Sequence, residues 1–360
     1  MRKLDSKKWF ISMILGLVII YLVCGLCVFI LDPFLHYRQA SHGMIFHTTS
    51  EPDLERYLNS GIIKSYEYNA VIAGTSMAEN FKTSEFDSLF GVDSVKLPVS
   101  GGTFKEVNDI CEKALTEQAD IKIVLRGLDL SMINVDKDVV KYGDYPEYLY
   151  DDNWLNDINY LLSKNSLIKG CMVDIAMSMI RGRADFSFDR YANWNHMVTF
   201  GKETVLSSYE RPVKSEDSFL LSEEEKEVIK GNIEQNVIEM AKKYPNTRFI
   251  LFFTPYSICY WDSLSQEGTL QKNIQIQEEV IKLLLPYDNI ELYSFCNNFE
   301  LVCNLDNYRD QGHYSEDVNS YILDWIAGGE YRITEDNCEE YLKEITDFYS
   351  NYDYNSIYVQ

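Results

Sequence analysis

The chain has 360 residues, 46% hydrophobic and 25% charged, enough apolar material to bury one large core or two smaller ones and too much to remain disordered. Its formal net charge is −23 and no basic stripe interrupts it, so nucleic acid is excluded as the expected partner. The acidic balance fits a solvated surface that keeps the protein soluble.

The first element in chain order is a candidate membrane span. From Trp9 to Leu31 about 23 residues carry no charge, enough to cross a hydrocarbon core of about 30 Å as a helix. Arg2, Lys3, Lys7 and Lys8 precede it and Asp32 follows, so the positive-inside rule predicts residues 1–8 in the cytoplasm and the main domain on the outer side of the cell membrane. No small-x-small pattern closes the run, and neither Cys24 nor Cys27 follows the small residues of a lipoprotein signal. An uncleaved anchor is therefore expected over 9–31, rather than a cleaved signal peptide. Residues 32–65 lack apolar periodicity and are read as a linker. His36, His42 and His47 fall here without a carboxylate at helical ligand spacing, so no metal is expected.

From residue 66 onward strand-like and helix-like stretches alternate. The runs "NAVIAGTS", "DSVKLPVSGG", "IKIVLRGLDL", "TRFILFFTPYS" and "NIELYSF" predict five strands, each ending in Gly, Ser, Thr or Asp. Between them, "FKEVNDICEKALTEQ" and "EEEKEVIKGNIEQNVIEMAKKY" repeat apolar residues at three- and four-residue spacing, as amphipathic helices do. The pattern predicts an α/β fold: a mostly parallel five-stranded sheet covered by helices on both faces, with its ligand site at the carboxyl ends of the strands. Residues 131–220 break the rhythm, are dense in Tyr, Trp, Asp and Asn, and read as an insertion near the site mouth. Its aromatic and amide side chains suit either ordinary packing or a platform for sugar rings. The C-terminal "DFYSNYDYNSIYVQ" reads as a loosely held tail.

The cysteines show no CxxC pair, so no zinc site is expected. Cys296 and Cys303 are close enough in sequence for a disulfide, with buried free thiols the alternative.

The residues that could carry chemistry lie at opposite ends of the folded domain. Ser76 stands where the first predicted strand turns into a helix-like stretch, whose N-terminus would favour negative charge. A serine hydroxyl becomes a nucleophile when a base takes its proton and a carboxylate orients that base. His313 sits in a loop before a helix-like segment, with Asp310 three residues earlier and Asp306 a more distant second carboxylate. Taken singly, Ser76 could serve as a helix cap and Asp310 as a solvated loop acid.

Together these residues are arranged as in a known family. Gly74-Thr75-Ser76-Met77, Ser100-Gly101-Gly102-Thr103 and Asp310-Gln311-Gly312-His313 resemble, in order, spaced blocks of the SGNH (GDSL-type) hydrolase superfamily, over roughly residues 66–330. The resemblance implies a three-layer α/β/α sandwich, flavodoxin-like in outline. Ser76 would be the nucleophile, His313 the general base and acid, and Asp310 its orienting carboxylate. The backbone N–H groups of Ser76 and Gly101 would hold the oxyanion, and no cofactor is implied. Two positions depart from the pattern: Thr75 replaces the usual Asp, and Asp129, in "GLDL", stands where an Asn side chain usually donates to the oxyanion. An ionised carboxylate cannot donate there. With its single N-terminal span the chain is similar to the membrane-anchored, extracytoplasmic branch exemplified by the D-alanine transfer protein of lipoteichoic acid modification and the alginate-type O-acetyltransferases. That branch implies acyl transfer to, or ester hydrolysis on, a surface polysaccharide or teichoic-acid-like polymer, beside a membrane-bound O-acyltransferase. The alternative is an inactive glycan-binding or scaffold protein that keeps the fold.

Overall fold

The structure, a computed structural model, describes residues 6–40, 54–143, 145–182 and 186–359. The chain divides into two compact units, one drawn from Met1–Tyr66 and Asp144–Ser187, the other from Glu67–Gly143 and Phe188–Gln360. The expected single domain over 66–360 is thus divided, and the expected insertion at 131–220 is shared between the units.

The first unit opens with the apolar helix Ser6–Leu31, whose 26 residues include a stretch apolar and long enough to cross a membrane. The chain then turns sharply around Asp32. Its buried carboxylate accepts the backbone N–H groups of His36, Tyr37 and Arg38 at 2.9, 2.9 and 3.1 Å and the Tyr160 hydroxyl at 2.8 Å. The expected linker is built structure at both ends. His36 pairs with Asp157 at 3.1 Å, and helix Glu55–Ser65 buries Leu58, Ile62 and Ile63. Their four- and five-residue spacing is a helical stripe too short to stand out from a polar context. His42 and His47 lie outside the described residues.

The second unit is built on a mixed six-stranded sheet in the order β2-β1-β3-β4-β5-β6. Strands β1 (Ala70–Gly74), β2 (Ser94–Pro98), β3 (Ile123–Leu128), β4 (Arg248–Phe253) and β5 (Ile290–Ser294) run parallel in register, with Val71 opposite both Val95 and Val124, and Leu251 opposite Leu292. Their near-continuous burial explains why they read as unbroken apolar runs rather than alternating ones. The expectation of five strands is corrected by β6 (Arg332–Ile333), which pairs antiparallel with β5. Two residues give no periodicity to detect; the reversal is made by Gly329 and Tyr331, both at positive φ.

Helix Phe104–Glu117 links β2 to β3 and begins with a capping box, Thr103 accepting from the Glu106 N–H while the Glu106 carboxylate accepts from the Thr103 N–H. The long predicted helix before β4 is present but interrupted by a π-helical stretch at Glu234–Ile238. The expected loose tail is instead packed. Helix Cys338–Asn351 buries Tyr341, Ile345 and Tyr349, and the Tyr349 ring stacks on Trp261 at 3.7 Å. Tyrosines that look like compositional bias are core residues with hydroxyls satisfied, as where Tyr354 donates to the Tyr349 carbonyl at 2.8 Å. All eight cysteines are free: Cys296 is fully buried and Cys303 partly so, and no disulfide joins them.

The strand order reverses at β1, whose chain leads outward to β2 on one side while β3 lies on the other. In open α/β sheets the crevice beyond such a reversal is where ligands bind.

Candidate active site

Loops from the carboxyl ends of β1, β2, β3 and β4, together with a hairpin at 308–314, surround that crevice. After β1, Gly74 takes a φ of +151°, and a Cβ there would lie 3.0 Å from that of Ala78. The chain can therefore fold back at once into tight turns, with Ala78 N–H bonded to Thr75 O at 2.9 Å and Glu79 N–H to Ser76 O at 3.4 Å. These turns correct the expectation of a helix starting at Ser76: the first helix after β1 is Thr83–Phe90. Ser76 is held by a turn and a glycine, not by a helix N-terminus.

The hairpin carries Asp310 and His313. Tyr308 and Tyr314 form an antiparallel bridge, both buried, and the Arg309 N–H bonds to the His313 carbonyl at 3.0 Å, closing the segment into a small hairpin. The Tyr308 hydroxyl fastens it to Pro255 O at 2.8 Å, and its tip is held where Ser257 N–H donates to Gln311 O at 2.9 Å. Within the hairpin Asp310 Oδ1 accepts the backbone N–H groups of Gly312 and His313 at 2.9 and 2.8 Å. The same carboxylate receives His313 Nδ1–H, at 3.0 and 2.9 Å from its two oxygens. Burial would raise this carboxyl, but the imidazole hydrogen bond, the imidazole charge and the two amides prevail and bring it down to about 2.

With Nδ1 protonated, His313 presents Nε2 as an acceptor, and Ser76 Oγ lies 2.8 Å from it. The three residues singled out in the sequence are thus brought together from positions separated by more than two hundred residues. Asp306 is not among them: it is exposed and accepts the Lys202 N–H at 3.2 Å.

Ser76, Gly101, Asp129, Asp310 and His313 share one cavity of about 710 Å³. Gly101 has a φ of +60°, and a Cβ there would run into the Lys141 ammonium. The backbone N–H groups of Ser76 and Gly101 find no acceptor among the described residues, so both can serve a charge developing in the cavity. Asp129, after β3, is buried with both oxygens occupied, one by Thr75 Oγ1 at 2.7 Å and the other by Tyr256 OH at 3.0 Å. Desolvation raises its pKa, against the hydrogen bonds from Thr75 and Tyr256 that lower it. The two departures from the family pattern are therefore partners of one another: Thr75 donates to Asp129.

Trp194 was missed as a site residue, although its segment was singled out as aromatic. Its indole N–H donates to the Ser76 carbonyl at 3.3 Å, and its ring meets the His313 imidazole edge-on at 5.6 Å between centroids. The Arg309 guanidinium lies over the indole at 5.4 Å and near Asp310 at 3.5 Å. The Trp194 N–H is tied to Asn80, and Asn193 and Asn195 bind the first turn of helix Glu316–Gly328. The far wall of the cavity is formed by Tyr209, Glu210, Tyr256, Tyr260 and Glu267. No group of three or more His, Cys, Asp or Glu side chains among the described residues is placed to hold a metal ion.

Compared with known proteins, the chain matches no family model, no curated protein and no solved structure.

Proposed function

We propose that this chain is a membrane-anchored serine acyltransferase or esterase with an SGNH-like three-layer domain, acting on acyl esters of a cell-surface polysaccharide or teichoic-acid-like polymer. One observation carries the reading: Ser76 Oγ stands 2.8 Å from His313 Nε2 while Nδ1 is held by a carboxylate that remains ionised at neutral pH. In the first half-reaction Ser76 Oγ attacks the acyl carbonyl as its proton passes to His313 Nε2. The Ser76 and Gly101 N–H groups receive the oxyanion, and the imidazolium protonates the departing alkoxide or thiolate. In the second, His313 Nε2 takes the proton of a polymer hydroxyl or of water as its oxygen attacks the acyl carbonyl, and the imidazolium returns that proton to Ser76 Oγ as the Oγ–acyl bond breaks. Transfer and hydrolysis use the same residues and differ in which nucleophile enters the cavity. Asp129 orders Thr75 and Tyr256 around the cavity and leaves oxyanion binding to the backbone donors.

The N-terminal helix supports tethering of the domain to the membrane. In this proposal the N-terminus is cytoplasmic and the catalytic unit faces outward, beside a membrane-bound O-acyltransferase that supplies the acyl group.

Labelling the detergent-solubilised chain with a fluorophosphonate, followed by peptide mass spectrometry, tests the reading. A single adduct on Ser76, lost in Ser76→Ala and in His313→Ala, is expected. No adduct under conditions that label a known serine esterase overturns catalysis and leaves an SGNH-like binding or scaffold protein, the reading that Asp129 in place of the donating Asn favours.

A further inference from the structure

The first unit carries an apolar surface that the proposed chemistry does not use. Residues Asn165–Met172 form a π-helical stretch that runs directly into helix Val173–Arg181. Ile168, Met172, Ile175 and Met179 recur along it at intervals of four, three and four residues, and all four are exposed, Met179 to 82%. Such spacing sets them on one side of the rod. Ser166, Gly170 and Asp174 recur on the other side and are buried. Ile180 extends the exposed stripe. A contiguous exposed stripe of this kind marks an interaction surface, since isolated apolar residues would be scattered.

What covers it is indicated by the helix it adjoins. A Cβ on Gly170 would come within 2.7 Å of two Pro33 ring carbons, so the stretch presses against the chain as it leaves helix Ser6–Leu31. A Cβ on Gly25, inside that helix, would touch Leu161 and Leu162 at 3.8 and 3.7 Å. The buried side of residues 165–181, through Gly170, is therefore turned toward the foot of the candidate span, and the exposed apolar stripe lies on the opposite side of the same rod. The segment 165–181 itself carries Lys169 and Arg181 against the single Asp174, in a chain whose net charge is −23. An amphipathic helix with an apolar face and a locally basic balance is suited to the boundary between acyl chains and anionic headgroups.

We propose that residues 165–181 lie in the membrane interface as a second lipid contact, embedding the Ile168–Met172–Ile175–Met179 face in the leaflet from which helix Ser6–Leu31 emerges. The proposal rests on that helix crossing the membrane and adds an element that lies along the bilayer. Its occupant is the lipid surface.

The test uses the full chain in vesicles of phosphatidylcholine and phosphatidylglycerol, with a diazirine side chain introduced singly at Leu22, Met172, Met179 or Val213. Irradiation is followed by mass spectrometry of the adducts. Lipid adducts are expected at Leu22, Met172 and Met179, and none at Val213, which is 93% exposed in the other unit. Adducts at Leu22 with none at Met172 and Met179, or with these two cross-linked to a second copy of the chain, overturn the interfacial placement and leave the span standing. Absence at all three overturns the span and this proposal together.

Discussion

Replacing Asp310 by Asn tests the relay at the point where structure and chemistry separate most cleanly. The amide oxygen can still accept the Gly312 and His313 N–H groups that the carboxylate accepts at 2.9 and 2.8 Å, so the hairpin keeps its shape. The amide NH₂, however, would face His313 Nδ1, and a donor there requires Nδ1 to be the acceptor and Nε2 to carry the proton. Nε2 could then no longer receive the Ser76 proton. Loss of the correct tautomer in such a relay costs on the order of 10⁴ in rate.

The stability cost is far smaller. The carboxyl is drawn from 3.8 to about 2. At about 1.4 kcal/mol per tenfold change this is worth at most about 2.5 kcal/mol. Solvent screening reduces it, because the side chain is 29% exposed. Since the folded pKa lies below the unfolded one, this contribution is fully present above pH about 4 and is lost as pH falls toward about 2. Fluorophosphonate labelling rates at pH 7, measured beside thermal melts at pH 7 and pH 3, are the assay. Asp310→Asn is expected to label about 10³- to 10⁴-fold more slowly with a modest loss of melting temperature that shrinks at pH 3, while Asp306→Asn behaves as the parent. Labelling of Asp310→Asn within about threefold of the parent would sink the tautomer argument.

Trp194→Phe removes the indole donor to the Ser76 carbonyl and keeps an aromatic edge against His313; loss of one neutral hydrogen bond predicts about 1 kcal/mol less stability in urea unfolding and, because the turn carrying Ser76 is held less firmly, slower labelling of Ser76. Asp129→Asn replaces a carboxylate whose pKa burial raises, and a raised folded pKa means stability is lost as pH climbs through it. The variant should therefore gain melting temperature relative to the parent on going from pH 4 to pH 8; a difference that is flat or falls with pH contradicts a desolvated Asp129. Tyr349→Ala empties the stack on Trp261, at 3.7 Å, and should cost about 3–5 kcal/mol in urea unfolding, whereas a cost below about 1 kcal/mol would mean that the C-terminal helix is dispensable.

The parts of this molecule legible in its sequence are those set by local pattern. The five parallel strands are buried on both faces and so read as apolar runs, and helix Phe104–Glu117 announces itself by a capping box and an amphipathic period. Ser76 and the Asp310–His313 pair were legible for a different reason: taken singly each has a structural use in its turn, and only the order of the three short blocks, which resembles that of a known family, marks them out. What stayed hidden depends on contacts between distant segments. Strand β6 is two residues long and exists because β5 offers it an edge. Tyr349 looks like tail composition until its ring meets Trp261 and Phe299. The stretch 165–181 reads as part of an insertion because nothing local says that Gly170 must approach Pro33.

Asp129 shows how such a hidden contact changes the chemical argument. Read against the family pattern alone, an acid at the oxyanion position repels the charge it should stabilise, and Thr75 looks like an unrelated lapse. In the fold both carboxylate oxygens are taken by hydroxyl donors, Thr75 from the loop that carries Ser76 and Tyr256 from the loop after β4 that also packs under Gly312. An acceptor at this position therefore ties the loop of Ser76 to the wall beneath the hairpin of His313. The donors left for an oxyanion are the N–H groups of Ser76 and Gly101, and the latter sits in a left-handed turn beside the Lys141 ammonium. Backbone donors are fixed by the turns that carry them, whereas a side-chain amide must be oriented, so a site that spends its side chain on holding the loops together can still keep its oxyanion donors preorganised.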